Sequence, residues 1–167
     1  QISDATNFNI ALHYTHGEGY YEQEKLEENL GDYGLANIII SNDTISSTDL
    51  IRRKWLNNDF GGITYSLNHH LKSIDLILGG ASNNYSGQHY GNIIWAEYTS
   101  NADFNHQYYW NKGEKSDHNF YAKANYEYNA KTSFYVDLQR RSVDYIFEGL
   151  DDNGNSALQE VSLDFFN

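Results

Sequence analysis

Hydrophobic residues in this chain recur at every second position over short stretches, and the clearest stretch runs from Asp117 to Phe147. Phe120, Ala122, Ala124, Tyr126 and Tyr128 alternate with Tyr121, Lys123, Asn125 and Glu127. After Asn129-Ala130-Lys131-Thr132 the alternation restarts, with Phe134, Val136 and Leu138 set against Ser133, Tyr135, Asp137 and Gln139. Successive strand side chains point to opposite faces, so this pattern predicts two β-strands joined by a tight turn, apolar on one face and polar on the other. The same reading predicts a first strand from Thr6 to about Gln23, carrying Phe8, Ile10, Leu12 and Tyr14 on one side and Asn9 and His13 on the other. A second hairpin follows: Ile63, Tyr65 and Leu67 lead into a turn at 69–73, and Ile74, Leu76 and Leu78 lead out of it. At Arg140-Arg141 the alternation breaks, and Val143, Tyr145 and Phe147 resume on the other parity, which predicts a β-bulge. A loop over Glu148 to Ala157 and a sixth strand carrying Leu158, Val161, Leu163 and Phe165 complete the chain.

Two stretches lose the alternation. From Glu24 to about Asn58 the chain reads as a long loop with a helical turn around Asp49 to Leu56. From about Ser86 to Ser116 it reads as a second long loop, with a short strand of its own at Asn92 to Tyr98. The predicted fold is all-β: an antiparallel up-and-down meander of about six strands, with tight turns on one side and long loops on the other. Alternation alone suits a soluble sandwich as well as a membrane barrel. The asymmetry of the connections favours the barrel, where short turns lie on one side of the membrane and long loops on the other.

Composition sharpens this reading. Aromatic residues make up 16% of the 167 positions and 15 of them are Tyr, a side chain suited to a boundary between water and an apolar medium. No apolar run approaches the roughly 18 residues of a transmembrane helix, whereas a transmembrane strand needs only about 9–11 residues with every second one apolar. A mean hydropathy of -0.71 is therefore compatible with a barrel. The net charge of -12 sets nucleic acid aside as a partner, since phosphate backbones require Lys and Arg. Zero Cys removes disulfides, thiol catalysis and thiolate metal sites. The chain starts at Gln1 rather than Met, which fits an internal segment or the removal of a leader.

Candidate chemistry is sparse. His69 and His70 are adjacent, and His13 and His16 fall on opposite strand faces, so neither pair can grip one ion; no metal site is expected. Asp151-x-Asn153-x-Asn155 begins like a calcium loop, but Ser156 and Ser162 stand where Gly and Glu are needed, so an Asx-rich turn is expected. Gly17-x-Gly19 lacks the rest of a phosphate cradle. No catalytic residue or cofactor is assigned, and the chain is not expected to be an enzyme. What remains is ligand recognition. His89, Tyr90, Trp95, His106, Tyr108, Tyr109 and Trp110 in the second long loop can stack on and hydrogen-bond to sugars or aromatic siderophores, and Arg52 and Arg53 can meet an anionic ligand.

Three stretches, Asn9 to Gln23 (NIALHYTHGEGYYEQ), Asp49 to Leu67 (DLIRRKWLNNDFGGITYSL) and Asp117 to Asn167 with FYAKANYEY, SFYVDLQRRSVDY and SLDFFN, resemble the barrel of TonB-dependent outer-membrane receptors of the Bacteroidetes type. The resemblance implies a 22-stranded barrel filled by a plug, residence in the Gram-negative outer membrane, and energy from a TonB system for uptake of siderophore-bound iron, cobalamin or glycans. The chain departs from that pattern in having no plug, no TonB box and about six strands, too few to close around a polar lumen. Residues 1–167 are thus expected to be a partial barrel domain. The resemblance directs Phe8, Ile10, Leu12, Ile63, Tyr65, Leu67, Ile74, Leu76, Leu78, Phe120, Ala122, Ala124, Phe134, Val136 and Leu138 to the lipid bilayer. It directs Asn9, His13, Thr64, Asp75, Lys123, Asn125, Asp137 and Gln139 to the lumen. Unpaired strand edges would let an isolated piece self-associate. The alternative is a soluble all-β carbohydrate-binding module.

Overall fold

The computed structural model describes residues 2–167 and consists almost entirely of strands. These are β1 (Thr6–Asn29), β2 (Ile38–Ile40), β3 (Asp43–Ile45), β4 (Ser47–Leu71), β5 (Ile74–Ala96), β6 (His106–Asn129), β7 (Thr132–Leu150) and β8 (Ser156–Phe166). Six of them form one antiparallel sheet in the order β1-β4-β5-β6-β7-β8, while β2 and β3 make a small separate hairpin. The all-β class, the antiparallel meander and the six main strands agree with the sequence reading. The sheet is open, with β1 and β8 as its edges.

Both tight turns lie where the alternation places them. Leu71 pairs with Ile74 across Lys72-Ser73, and Lys72 takes a positive φ of 45°. Asn129 pairs with Thr132, and the Asn129 side chain accepts the Lys131 N–H at 2.9 Å.

The long loops are much shorter than the sequence predicts. β1 continues to Asn29 and β4 already begins at Ser47, so the supposed loop over 24–58 shrinks to 30–46, and Asp49 to Leu56 is strand rather than helical turn. Among the described residues the one helical turn is a 3-10 turn at Leu30–Tyr33, capped by the Asn29 side chain and ended by Gly34 at φ 69°. Likewise β5 reaches Ala96 and β6 starts at His106, which leaves only 97–105 as loop and absorbs the predicted short strand at 92–98 into β5. The reason is physical. Near the middle of the strands both faces of the sheet carry polar residues or glycine, as in the cross-strand row Glu18, Asn57, Gln88 and Lys112 and the neighbouring row Gly17, Asn58, Gly87 and Gly113. The backbone ladder persists there while the hydrophobic period that would reveal it vanishes.

The predicted bulge at Arg140-Arg141 is absent. Pairing of β6 with β7 runs in unbroken register from Glu127↔Ser133 to Asn111↔Gly149. Val143, Tyr145 and Phe147 therefore lie on the opposite face from Phe134, Val136 and Leu138. Val143 pairs with Leu163, and Tyr145 with Val161, so an apolar patch occupies the otherwise polar face at the β7–β8 corner. The register irregularities fall elsewhere, at Lys25/Glu28, Ile51/Arg52, Gly91/Asn92 and Glu127/Asn129.

The register defines two faces. On face A, Phe8, Leu67, Leu78, Ala122 and Leu138 form one continuous cross-strand row. On face B the next row reads Asn9, Ser66, Gly79, Tyr121 and Gln139. Every residue that the resemblance assigns to lipid falls on face A, and every residue assigned to the lumen falls on face B. Glycine has a packing role on β5. Gly80 lies opposite Tyr65 in the β4–β5 ladder, with the Tyr65 ring over it, and a methyl group at Gly80 would collide with the Asn119 carbonyl.

The sheet has little interior. Among the described residues the buried hydrophobic side chains are Leu30, Tyr33, Leu35, Leu50, Ile93, Tyr108 and Tyr109, a cluster at the end remote from the tight turns. Leu30 and Leu50 are fully buried, each contributing about 1.5–3 kcal/mol by transfer from water. By contrast Leu12 is 78% exposed and Val136 54%. The loops over this small core are tied together by polar contacts. Ser100 Oγ donates to the Ala36 carbonyl at 2.5 Å, Asn101 Oδ1 accepts the Ala36 N–H at 3.0 Å, and His106 Nε2 donates to the Tyr33 carbonyl at 2.8 Å.

Candidate functional site

The residues selected as a ligand set do not converge on one point. Tyr108 and Tyr109 are buried in the small core, where Tyr108 meets Tyr33 edge-on at 4.8 Å and Tyr109 at 5.0 Å. His106 is engaged by the Tyr33 carbonyl. Arg52 is held by Gln23 at 3.0 Å and by the Tyr33 hydroxyl at 3.2 Å. These four residues therefore organise the loop base. Burial, helped by a hydrogen bond to Glu28, pushes the Tyr33 phenol up to about 12, and burial does the same for Tyr109. Glu28 feels burial too, but the hydroxyl of Tyr33 and the ammonium of Lys25 outweigh it and keep its carboxyl below the usual range.

Tyr90 and Trp110 behave differently. They are register partners on face A, and the same line continues to Trp55 and Tyr20, giving an aromatic row Tyr20-Trp55-Tyr90-Trp110 across β1, β4, β5 and β6. Tyr20 and Trp55 have ring centroids 4.5 Å apart, and Trp55 and Tyr90 lie nearly parallel at 5.8 Å. The Arg53 guanidinium sits 4.0 Å from the Tyr20 ring centroid and 5.6 Å from that of Trp55, and Glu22 pins it at 2.5 Å. Sequence reasoning missed Tyr20 and Trp55 because no local signal links positions 35 residues apart; only the β1–β4 register does. Trp95 lies beyond this row and is 51% exposed. His89 falls on face B, in a pocket shared with Tyr21, Lys54, Tyr109 and Asp152, where Lys54 Nζ meets Asp152 at 2.5 Å.

Directly below the row on face A lies a groove of about 550 Å³, lined by Tyr14, Asp59, Asn84, Ser86, Glu114 and Asp144 among others. Asp59 is its fixed point: it accepts from the Tyr14 hydroxyl at 2.5 Å and pairs with His16 Nδ1 at 2.9 Å. These two hydrogen bonds, that from Tyr14 first, hold the Asp59 carboxyl below its ordinary range. Sequence reasoning missed this trio as well, since it joins β1 to β4.

The Asp151 segment forms an Asx-type turn, with the Asp151 carboxylate accepting the N–H groups of Asn153 at 2.9 Å and Asn155 at 2.8 Å. The Asn155 side-chain amide, donating to the same carboxylate at 3.1 Å, does most to hold it low, and the backbone bonds add to this. Among the described residues no three His, Asp or Glu side chains gather closely enough to hold a metal ion, and no helix is long and apolar enough to cross a membrane. The chemistry within reach of face A is therefore ring stacking and hydrogen bonding. Comparison with protein-family models, with curated proteins and with solved structures returns no match to this chain.

Proposed function

We propose that this sheet is a section of the wall of an outer-membrane β-barrel of the TonB-dependent receptor type, and that it serves nutrient uptake without catalysing a reaction. The observation that carries the reading is the slant of the apolar band on face A. On β1 and β4 the band ends at Leu12 and Ile63; on β7 it ends four residues lower, at Leu138, with Arg140 next on the same face. Four residues span about 13 Å, and the four interstrand steps from β1 to β7 span about 19 Å. The band therefore crosses the strands at about 35° from their perpendicular, the tilt typical of strands in outer-membrane barrels. At the lower margin Thr6 on β1 and His69 on β4 are polar where Leu76, Ala124 and Val136 in the same row are apolar, and on β4 Leu71 follows His69 on the same face. Along β6 the band from Phe120 to Tyr128 covers about 27 Å of strand, or about 22 Å normal to the membrane at that tilt, against a typical apolar height of about 25 Å.

In this reading the open edges of β1 and β8 pair with further strands, the lumen receives face B, and a TonB system and a nutrient ligand (siderophore-bound iron, cobalamin or a glycan) are the partners. A soluble carbohydrate-binding sandwich would instead need a second layer over face A.

The test is depth-resolved quenching. All three native tryptophans lie outside the band, so each is replaced by Phe, and a single Trp is placed at Leu67 or Leu78 on face A or at Ser66 on face B. In vesicles of brominated lipid, emission from the Leu67→Trp and Leu78→Trp proteins should fall strongly and that from Ser66→Trp weakly. Equal quenching at all three positions, or none, overturns the reading.

A further inference from the structure

We propose that the aromatic row and the groove below it on face A form a binding site for an uncharged saccharide chain. The site needs only that this part of face A be open to water, so it stands independently of whether the apolar band meets lipid.

A pyranose ring presents apolar C–H faces and a rim of hydroxyls, and a site for it must offer aromatic surface beside planar hydrogen-bonding groups. The row supplies the first: Trp55, Tyr90 and Trp110 are each part-exposed, on adjacent strands. The groove supplies the second. Asp59, Glu114 and Asp144 each present a second carboxylate oxygen beyond the one held by Tyr14 and His16, by Lys112 and by Ser162, and Asn84 offers its amide N–H groups while its oxygen accepts from Ser116. Between them lies the cross-strand row Asn57, Gln88 and Lys112, so aromatic surface passes into amides and then into carboxylates within about 13 Å along the strands. The groove volume of about 550 Å³ falls within the range of small-ligand sites, about 300–1,000 Å³.

Two features support a built site over a chance patch. Arg53 is fixed by Glu22 and by the two rings beneath it, and Asp59 is fixed by Tyr14 and His16, so the groups at both ends are ordered before a ligand arrives. Charge selects the ligand class. The cations nearest the site are engaged by carboxylates, Arg53 with Glu22, Lys112 with Glu114 at 2.6 Å and the groove-lining Lys115 with Asp117 at 4.0 Å, and Asp59 and Asp144 leave the rest of the lining acidic. Phosphorylated or carboxylated sugars would meet like charge, which leaves a neutral saccharide.

The experiment uses the full chain in a detergent without a sugar headgroup. Maltohexaose, cellohexaose, mannohexaose and a wider panel of neutral glycans are titrated by tryptophan emission and calorimetry, with polygalacturonate as the acidic comparison. At least one neutral chain should bind saturably, and Trp55→Ala and Trp110→Ala should each weaken that binding at least tenfold. Trp55→Phe, which keeps a ring and guards against misfolding, should lose less, and Phe104→Ala in the 97–105 loop should change nothing. Asp59→Asn should weaken binding several-fold. Failure of the whole neutral panel, preference for polygalacturonate, or unchanged affinity in both Trp→Ala proteins would overturn the assignment.

Discussion

Arginine placed on the two faces of β7 separates a lipid-facing sheet from a water-facing one. Val136 lies near the middle of the slanted band on face A, and its neighbour Tyr135 lies on face B; the two are 54% and 62% exposed on the isolated sheet. If both faces met water, Val136→Arg and Tyr135→Arg would each change stability by no more than about 0.5 kcal/mol. If face A meets hydrocarbon, Val136→Arg should cost about 2–4 kcal/mol, the range for a cation near the bilayer midplane of a β-barrel. At about 1.4 kcal/mol per tenfold, that lowers the folding equilibrium by a factor of roughly 30 to 700. Tyr135→Arg should stay near zero, because Lys123 and Asp137 already form an ion pair at 3.2 Å on that face. The assay is refolding from urea into short-chain phosphatidylcholine vesicles, followed by tryptophan emission, for both variants and the parent. Equal costs at the two positions, or a costless Val136→Arg, would refute the assignment of face A to lipid.

Three further outcomes follow from the loop-end core and its turns. Tyr33 and Tyr109 titrate at about 12 in the folded chain against about 10 unfolded, so between those values the folded state holds protons that the unfolded state has lost. Their contribution is complete below about pH 10 and lost as the pH rises through 12, and absorbance at 295 nm should show a late-titrating group of tyrosines released on unfolding. Leu50→Ala empties a fully buried site and should cost about 2–5 kcal/mol, read as lost hydrogen-exchange protection for the amides of 30–35; unchanged protection would mean that the cluster does not hold the loop. Asp151→Ala removes the acceptor for the Asn153 and Asn155 amides, so proteolytic nicking within 151–155 should accelerate; because the folded Asp151 carboxyl is held low, the same loosening should appear in the parent only as the pH falls through that depressed value.

The strands were legible in the sequence where one face is oily and the other wet, as at Phe120 to Tyr128, and they disappeared from it where both faces are polar. Glu18, Asn57, Gln88 and Lys112 share one cross-strand row, yet nothing in their local sequences distinguishes them from loop residues. The misplaced bulge has the complementary cause. A change of parity at Val143 looks like a register slip, but the same pattern arises when the apolar side moves to the other face, and only the continuous β6–β7 pairing tells the two apart. Of the candidate site, Tyr90, Trp110, Tyr108 and His106 look alike in the sequence, whereas in the fold Tyr90 and Trp110 are half-buried on face A, Tyr108 is buried in the loop-end core and His106 bonds the Tyr33 carbonyl. Composition cannot separate an aromatic that packs a loop from one that faces out. Tyr20, Trp55 and the Tyr14–Asp59–His16 contact required the pairing of β1 with β4, which is long-range information.

This difference in kind decides how much weight alternation should carry. Period two is a property of each strand alone, and any sheet with one dry face shows it, whether that face meets lipid or a second sheet. The slant belongs to the register. It compares where the apolar run stops on β1, β4, β6 and β7, and polar residues bound the face A rows on opposite margins at opposite ends of the sheet: Thr6 below on β1, Arg140 above on β7. A packed second layer leaves a margin that follows the outline of the partner sheet, whose strands cross at about 30°. A bilayer imposes a straight one, since its two interfaces are planes cutting tilted strands at a common height. The stagger of about four residues over four interstrand steps is thus the measure on which the membrane reading depends.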